Sequence, residues 1–396
     1  MFQIYSHYQP IVSLAHRRVV GYEALLRAQN LSGEICSPLD AFAAAQTQGC
    51  IEKFDRGCLI NHLNKFSNLH TEDKWLFVNL NSATVNPTNL RSKLVLHQLT
   101  KRGFSPHNLV LEILEDAAKN TQQLKEFVDY YRELGFLIAI DDFGTGHSNF
   151  DRIWELKPNI VKLDRSMLFN ARNNSSRQRW LTRCIALLRE TGAVITLEGV
   201  ENQDDALLAL DSDADLAQGY FFAKPSAKGE HDQAWLFNEL HMLHHRSLYD
   251  QTEKQRSHTH KKLALKHMLL EASKAIAQGI EFKLATNELL QHPAVERIYL
   301  LNSEGIQIVE SLTPEHYTPH TPKIYAPLSR SDGALWARRA YFRNAMEHPE
   351  QVQISTPYIG LPNANLNITF SKAIYRTFSS EKNVVCVDID AQFLNE

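Results

Sequence analysis

The sequence has few cysteines, no long apolar run and little net charge. Five cysteines occur among 396 residues, an odd number without a CxxC pair, which argues against a disulfide framework and a zinc site. No run of about 18 apolar residues occurs, so the sequence predicts no membrane-spanning helix. The first residues, MFQIYSHYQPIV, lack the basic and apolar regions of a signal peptide. These absences predict a cytoplasmic protein with reduced thiols.

The net charge and the length limit the class of partner and the number of domains. A formal net charge of −3 leaves no basic excess, so we expect no nucleic-acid polymer as a partner. Hydrophobic residues make up 43% of the chain and charged residues 22%, a balance typical of globular proteins. Because 396 residues exceed one ordinary core, the length predicts two domains.

Short apolar segments alternate with amphipathic helical segments over the first part of the chain. Such segments are typical of strands buried on both faces, and their alternation with helices predicts a parallel α/β fold. Ser37 and Pro38 are the N-cap and first residue of one predicted helix, and Gly135 ends another. A length of about 230 residues suits a (β/α)8 barrel. The eight predicted strands are 4–12, 18–27, 75–79, 109–112, 137–141, 160–163, 194–198 and 216–221.

The pattern changes after residue 232. Residues 233–278 contain neither proline nor glycine, which predicts one or two long helices, with a break near 247–257. A hairpin of 295–301 and 306–310 follows, and further strands are predicted at 352–355, 365–371 and 384–389. We therefore predict a barrel over 1–232, a helical connector over 233–279 and a small α+β domain over 280–396.

Metal-binding residue types stand at the ends of several predicted strands. Chemistry in such barrels lies at the C-terminal strand ends, where a pair of divalent cations needs oxygen ligands and a bridging carboxylate. Asp141 would bridge both cations, and Asp142 would bind one. Lys162 would orient or deprotonate a water, and an ammonium beside cations would have a lowered pKa. The residues that would complete the two coordination shells are Glu23, Asn79, Glu112 and Glu198.

Each of these residues also has an ordinary structural interpretation. A single strand-end aspartate is commonly a helix cap or a surface charge, and a buried lysine can pair with a core carboxylate. Carboxylates gathered at one barrel edge would repel one another, however, and bound metal resolves that repulsion. The clustering therefore favours a metal site.

An ordered series of short motifs extends over roughly residues 1–230. The motifs are YQPIV at 8–12, YEALLR at 22–27, VNL at 78–80, LEILE at 111–115, IDDFGTG at 140–146, VKLDRS at 161–166, LEGVE at 197–201 and QGYFFAKP at 218–225. Together these motifs resemble the EAL family. The sequence departs from the common family pattern at Asn81, Leu114, His147 and Leu197, none of which is an expected ligand.

The resemblance implies a TIM-like barrel with one antiparallel strand. It also implies hydrolysis of cyclic di-GMP to linear 5′-pGpG with two ions of Mg²⁺ or Mn²⁺. It places Lys162, Glu198, Gln218 and Glu115 in catalysis, and Gln9, Arg27 and Asp164 at the substrate. One metal would be held by Glu23, Asn79, Glu112 and Asp141, and the second by Asp141, Asp142 and Glu198.

Two alternatives to an active enzyme stay open at this stage. The barrel would be a binding module that holds cyclic di-GMP without useful turnover, or a platform for a protein partner that binds no nucleotide. The platform leaves the clustered carboxylates unexplained. No synthase segment of the GGDEF type occurs, so we expect no synthesis of the dinucleotide.

The last part of the chain contains a second set of motifs, WARRAYFRNA at 336–345, ISTPYI at 354–359 and VDID at 387–390. These motifs resemble the Cache family of PAS-like sensory domains. The resemblance implies a small-molecule ligand. The connector over 233–279 is too long and too helical for a passive flexible tether, so we expect the last domain to regulate the barrel through it. We also expect a homodimer, since EAL barrels commonly dimerise. The residues expected to line a ligand pocket are Arg338, Tyr341, Arg343, Tyr358 and Asp388.

Overall fold

The computed structural model divides the chain into two units. One comprises Met1–Leu248 and the other Tyr249–Glu396. The predicted domain limits at residues 232 and 279 stay predictions. The residues that the structure describes are 2–30, 32–69, 73–80, 97, 99–114, 121–145, 150–317, 323–328, 330–360, 365–375 and 381–394.

Nine strands of the first unit form one sheet that closes on itself. The order is β1-β9-β8-β7-β6-β5-β4-β2-β3, and pairing of β1 with β2 closes the first eight strands into a barrel. Only β1 is antiparallel to its barrel neighbours, so the predicted TIM-like barrel with one antiparallel strand is confirmed. The strands are β1 Gln3–Ser13, β2 Arg18–Gln29, β3 Ile35–Cys36, β4 Trp75–Asn79, β5 Leu109–Leu114, β6 Leu137–Phe143, β7 Ile160–Leu163, β8 Val194–Leu197 and β9 Leu216–Gln218.

Helices follow most of these strands and cover the barrel. Ser37 caps the first of them, because its hydroxyl accepts a hydrogen bond from the backbone N–H of Asp40 at 3.1 Å, and Pro38 begins it as predicted. The helices of this unit up to residue 211 are α1 Pro38–Thr47, α2 Ile51–Phe66, α3 Thr121–Glu133, α4 Phe150–Leu156, α5 Arg165–Ala171, α6 Ser175–Arg189 and α7 Gln203–Asp211.

The barrel interior is layered, with an apolar layer beneath a polar one. Because residues i and i+2 of a strand share one face, the polar layer lies two residues from the apolar layer along the same strands. The polar layer lies at the C-terminal end of the parallel strands. The apolar layer consists of Ile11, Phe77, Val110, Ala139, Ile160 and Leu216. The polar residues two positions away are the buried Gln9, Glu112, Asp141, Lys162 and Gln218 and the exposed Asn79.

The second unit is an α+β unit built on an antiparallel sheet, as predicted. Its sheet runs β10-β14-β13-β11, and β12 pairs with β13. The second arm of the expected hairpin pairs with β10 through isolated antiparallel bridges, Leu301 with Gln307 and Ile298 with Leu312, and does not form a regular strand. The elements are β10 Val295–Leu301, β11 Gln353–Ile354, β12 Tyr358–Ile359, β13 Leu366–Tyr375 and β14 Lys382–Asp390.

A single helix, α8 Gln233–Ala277, takes part in the core of both units. The predicted break near 247–257 is wrong, since the segment contains no residue that stops a helix. Leu236, Leu240 and Leu243 pack in the barrel's outer core, and Leu265 and Leu269 pack in the core of the second unit. The short helices α9 Phe282–Ala285, α10 Asn287–Gln291 and α11 Ala340–Glu347 complete the second unit.

A buried polar network centres on Asp388 in the second unit. One carboxylate oxygen accepts from Arg297 Nε at 2.6 Å, and the other accepts from the hydroxyls of Thr369 at 2.7 Å and of Tyr299 and Tyr358 at 3.3 Å each. The expected pocket residues therefore separate. Tyr341 and Asp388 are buried and Tyr358 is partly buried, whereas the arginines at 338 and 343 are exposed. A ligand for this unit stays a prediction.

None of the helices in the described part of the chain combines the length and the apolar character that crossing a bilayer requires.

Candidate active site

A buried lysine on β7 lies at the centre of the polar layer. Its side chain is 1% exposed, and Nζ lies 2.7 Å from Glu112 Oε1 and 2.7 Å from Glu198 Oε1. Nζ is also 3.1 Å from Asp141 Oδ1 and 3.4 Å from Glu23 Oε2. The four carboxylates come from β5, the end of β8, β6 and β2. The barrel thus brings together, around Lys162, residues that are up to 175 positions apart in the sequence, between Glu23 and Glu198.

Two side-chain amides fix the position of Glu23. Asn79 Nδ2 donates to Glu23 Oε1 at 2.9 Å, and Gln218 Nε2 donates to Glu23 Oε2 at 2.7 Å. Gln218 also donates to Gln9 Oε1 at 3.3 Å. Gln9 and Gln218 therefore form a chain of hydrogen bonds that leads to one oxygen of this carboxylate, and Asn79 binds the other oxygen.

A β-bulge places the paired aspartates on the same side of the sheet. The β6–β7 register shifts between Ile140 and Phe143, and Asp142 adopts a left-handed conformation with φ of 56°. In a regular strand, consecutive side chains point to opposite faces, so one of the two aspartates would leave the site. Aspartate tolerates the left-handed conformation better than most residues. Asp141, Asp142 and Glu198 each offer an oxygen within 4.8 Å of the others.

Burial and mutual repulsion raise the pKa values of three carboxyl groups of the site, Glu112, Asp142 and Glu198. Burial raises the pKa of Glu112 well above its usual range and that of Glu198 to about 8. Burial and the Asp141 charge raise the pKa of Asp142 to about 6. Burial also opposes ionisation of Glu23, but Lys162 and the two amides outweigh it and lower its pKa.

The expected lowering of the Lys162 pKa belongs to the lysine beside bound cations and stays a prediction, while its protein neighbours act in the opposite direction. Burial by itself lowers the pKa of the ammonium, but the surrounding carboxylates outweigh burial and raise it well above the usual value. The expectation placed the lysine beside cations, whereas its nearest charged neighbours in the described residues are all carboxylates.

The residues present fit a divalent cation. The Glu112 side chain is fully buried, and its Oε2 has no hydrogen-bond donor among the described residues. An unpaired buried carboxylate oxygen is costly, and a cation is the natural partner for it. The ligand atoms on offer are oxygens, which Mg²⁺, Mn²⁺ and Ca²⁺ prefer over softer metals.

A pocket of about 200 Å³ opens beside the cluster. Gly199 and Gly219 allow its walls to approach each other, since a Cβ on Gly219 would lie 2.0 Å from the Val200 carbonyl oxygen. Sequence analysis did not single out Arg165 and Tyr220, although both stand inside the quoted motifs. The lining residues are Gln9, Glu23, Arg165, Glu198, Gly199, Glu201, Gln218, Gly219 and Tyr220.

The remaining expected site residues lie around the cluster or outside the described part. Arg27 lines a second pocket of about 270 Å³, together with Asn79 and Asp55. Asp164 caps α5, where its Oδ1 accepts from the Ser166 N–H at 2.8 Å, which is the ordinary structural role of such an aspartate. Glu115 lies outside the described residues. Its expected role stays a prediction, as do the roles of the other site residues.

Several curated proteins are similar to the first part of the chain. The cyclic di-GMP phosphodiesterase NbdA of Pseudomonas aeruginosa is 29% identical over 227 residues, which are 56% of this chain and 29% of NbdA. The biofilm architecture maintenance protein MbaA of Vibrio cholerae is 29% identical over 238 residues, 59% of this chain and 30% of MbaA. The chain therefore spans under a third of the length of either relative.

Solved structures extend the likeness. The Bacillus subtilis YkuI protein, solved with cyclic di-GMP and calcium, aligns over 98% of this chain and 96% of its own with a TM-score of 0.79. Its identity is 23%, so it supports the fold alone. The EAL domain of Pseudomonas aeruginosa FimX, bound to cyclic di-GMP, is 27% identical over 58% of this chain and 93% of its own, with a TM-score of 0.53.

The family follows from the extent of the match. Residues 3–225, more than half of the chain, match the EAL domain, and this range contains every carboxylate of the cluster. The chain belongs to the EAL domain family.

Proposed function

We propose that the chain hydrolyses cyclic di-GMP to linear 5′-pGpG with two divalent cations, Mg²⁺ or Mn²⁺. The observation that carries this proposal is the convergence of carboxylates on Lys162 at the C-terminal end of the barrel. Such an oxygen-rich set suits a pair of hard cations. Two relatives add support, since NbdA is named a cyclic di-GMP phosphodiesterase and FimX binds cyclic di-GMP.

The proposed metal ligands divide into two overlapping sets. When bound, the cations would acidify a water and neutralise charge on the scissile phosphate. The bulge at Asp142 brings this residue to the side of Asp141 and Glu198, which allows the three to form one set. One set is Glu23, Asn79, Glu112 and Asp141, and the other is Asp141, Asp142 and Glu198.

The chain's other side chains would orient the reactants. Lys162 would hold the attacking water by donating to its oxygen, and Gln218 would keep Glu23 in place through the 2.7 Å hydrogen bond. Arg27 would contact a phosphate oxygen, because its guanidinium favours bidentate contact with phosphate. Gln9 and Asp164 would contact the substrate, and Glu115 would take part in catalysis.

The pockets support a ligand with two halves. The smaller pocket contains Glu23 and Glu198, and the larger contains Asn79 and Arg27, so both adjoin the carboxylate cluster. A cyclic dinucleotide has two bases, one on each side of its phosphate ring. One base in each pocket would leave a phosphate at the cluster.

A direct assay tests the proposal. Purified protein is incubated with cyclic di-GMP and Mg²⁺, Mn²⁺ or Ca²⁺, and pGpG is measured by chromatography. We expect turnover with Mg²⁺ and Mn²⁺ and inhibition by Ca²⁺, whose longer and looser bonds misplace the water. Tight binding of cyclic di-GMP without pGpG in any metal would instead identify a binding module.

We further propose a cytoplasmic homodimer in which the C-terminal part, over 280–396, binds a small molecule and regulates the barrel through the connector over 233–279. A stiff helix transmits a displacement, whereas a flexible linker does not. The comparison needed is between the full chain and a barrel cut after Leu248, because a cut at residue 232 would remove Leu236 and Leu240 from the barrel's core. Equal turnover and a monomeric mass for both proteins would refute this part.

A further inference from the structure

The position of Lys162 has a consequence for metal binding itself. Its ammonium lies within 3.4 Å of oxygens from Glu23, Glu112, Asp141 and Glu198. All four belong to the proposed metal ligands. A lysine ammonium and a divalent cation therefore draw on the same oxygens, and the two positive charges repel each other.

We propose that Lys162 competes with the divalent cations for the carboxylate cluster, so that its positive charge weakens metal binding. This inference rests on the proposed metal-dependent function. The side chain is 1% exposed, so solvent screens the repulsion poorly. The lysine neutralises part of the carboxylate charge on its own, which lets the barrel fold around the cluster, and it gives up those contacts as cations bind.

The neighbouring strands offer Lys162 uncharged acceptors. Thr196 stands opposite Lys162 in the register of β7 and β8, and its hydroxyl is buried without a hydrogen-bond partner among the described residues. Gln218 Oε1, in the same polar layer, is also buried and lacks a donor there. A lysine displaced from the carboxylates would donate to these oxygens and avoid the cost of an unpaired buried ammonium.

The test measures Mn²⁺ affinity by isothermal titration calorimetry without nucleotide. The variants are Lys162→Met, which keeps the apolar stem and removes the charge, and the exposed control Lys65→Met on α2. We expect Lys162→Met to lower the Mn²⁺ dissociation constant by about tenfold or more, because a close like charge in a buried site is removed. The control should bind Mn²⁺ as the unaltered protein does.

Stability gives a second readout that turnover does not influence. In chelator, Lys162→Met should unfold at a lower temperature than the unaltered protein, and Mn²⁺ should raise its melting temperature by more. If Lys162→Met does not fold in chelator, Lys162→Gln, which also removes the charge and keeps a polar side chain, replaces it in the calorimetry. An Mn²⁺ dissociation constant below that of the unaltered protein supports competition, and a constant at or above it overturns it.

A double-mutant cycle tests the uncharged acceptor. Thr196→Val should raise the Mn²⁺ dissociation constant about threefold when Lys162 is present and leave it unchanged in Lys162→Met. Equal effects in both backgrounds would overturn the transfer of Lys162 to Thr196. Unchanged or weaker Mn²⁺ binding by folded Lys162→Met, together with normal hydrolysis by the unaltered protein, overturns competition alone. Absence of both Mn²⁺ binding and hydrolysis overturns the proposed function as well.

Discussion

The two units each bury carboxylates, and they treat them differently. Asp388 in the second unit receives donors on both oxygens, including the Arg297 guanidinium at 2.6 Å. Glu112 in the barrel has Lys162 on one oxygen and no donor within the described residues on the other. A buried carboxylate with donors on both oxygens stabilises the structure around it. A group of carboxylates with an oxygen that lacks a donor can still accept a cation. The comparison separates a structural network from a candidate metal site without reference to any relative.

The largest expected effect is on turnover, and it comes from the barrel. Glu23→Ala should lower kcat by more than the ~10–100-fold typical of a residue that only supports a metal ligand. The fold should survive, because the substitution removes charge from a cluster with an excess of carboxylates. Circular dichroism checks the fold, and the exposed Glu155→Ala on α4 is the matched control. Full Mn²⁺-dependent activity of Glu23→Ala would remove Glu23 from the site.

Removal of the central lysine of the barrel cluster should give the next largest effect, again on turnover. Lys162→Ala should lower kcat by roughly 10²–10⁴-fold, because a group that handles a proton or a water acts mainly in the transition state. KM should change far less. Steady-state kinetics at saturating Mn²⁺ separate the two constants. A change confined to KM would give Lys162 a role in substrate binding only.

In the second unit, loss of the Asp388 charge should lower the free energy of unfolding. Asp388→Asn removes the carboxylate that Arg297 Nε contacts at 2.6 Å, and breaking such a buried ion pair costs about 3–5 kcal/mol. Hydrogen exchange of peptides from β10, β13 and β14 should become faster, while the barrel strands exchange as before. The control is Asp332→Asn, whose side chain is 58% exposed. Unchanged exchange in the sheet would show that the network does not stabilise this unit.

The smallest expected effect tests the contrast directly. Glu112→Gln in chelator should leave the barrel as stable as before or more stable by about 1 kcal/mol, because a buried carboxylate with a donor on one oxygen alone among the described residues is replaced by a neutral group. Three carboxylates still neutralise Lys162. Thermal unfolding in chelator gives the measurement. A loss as large as that of Asp388→Asn would mean that both carboxylates are structural.

The sequence predicted the barrel strands and the clustered ligands because buried strands are apolar runs and their C-terminal ends meet at one edge. It did not predict the bulge at Asp142. Glycine is the usual sign of a left-handed residue in a sequence, and here the left-handed residue is an aspartate. The two-residue strand Ile35–Cys36 is too short for a periodic pattern. The four partners of Lys162 depend on barrel closure, which brings distant residues together.

The direction of β1 affects how the protein can be tagged. Because this strand runs against the others, Gln3 pairs with Gln29 at the end of β2, beyond the level at which Gln9 pairs with Glu23. The chain therefore enters the barrel at the rim that carries the carboxylates. A bulky reporter fused ahead of Gln3 would lie close to the opening of the site and slow the entry of a dinucleotide. A cleavable fusion is therefore the better choice for kinetic work.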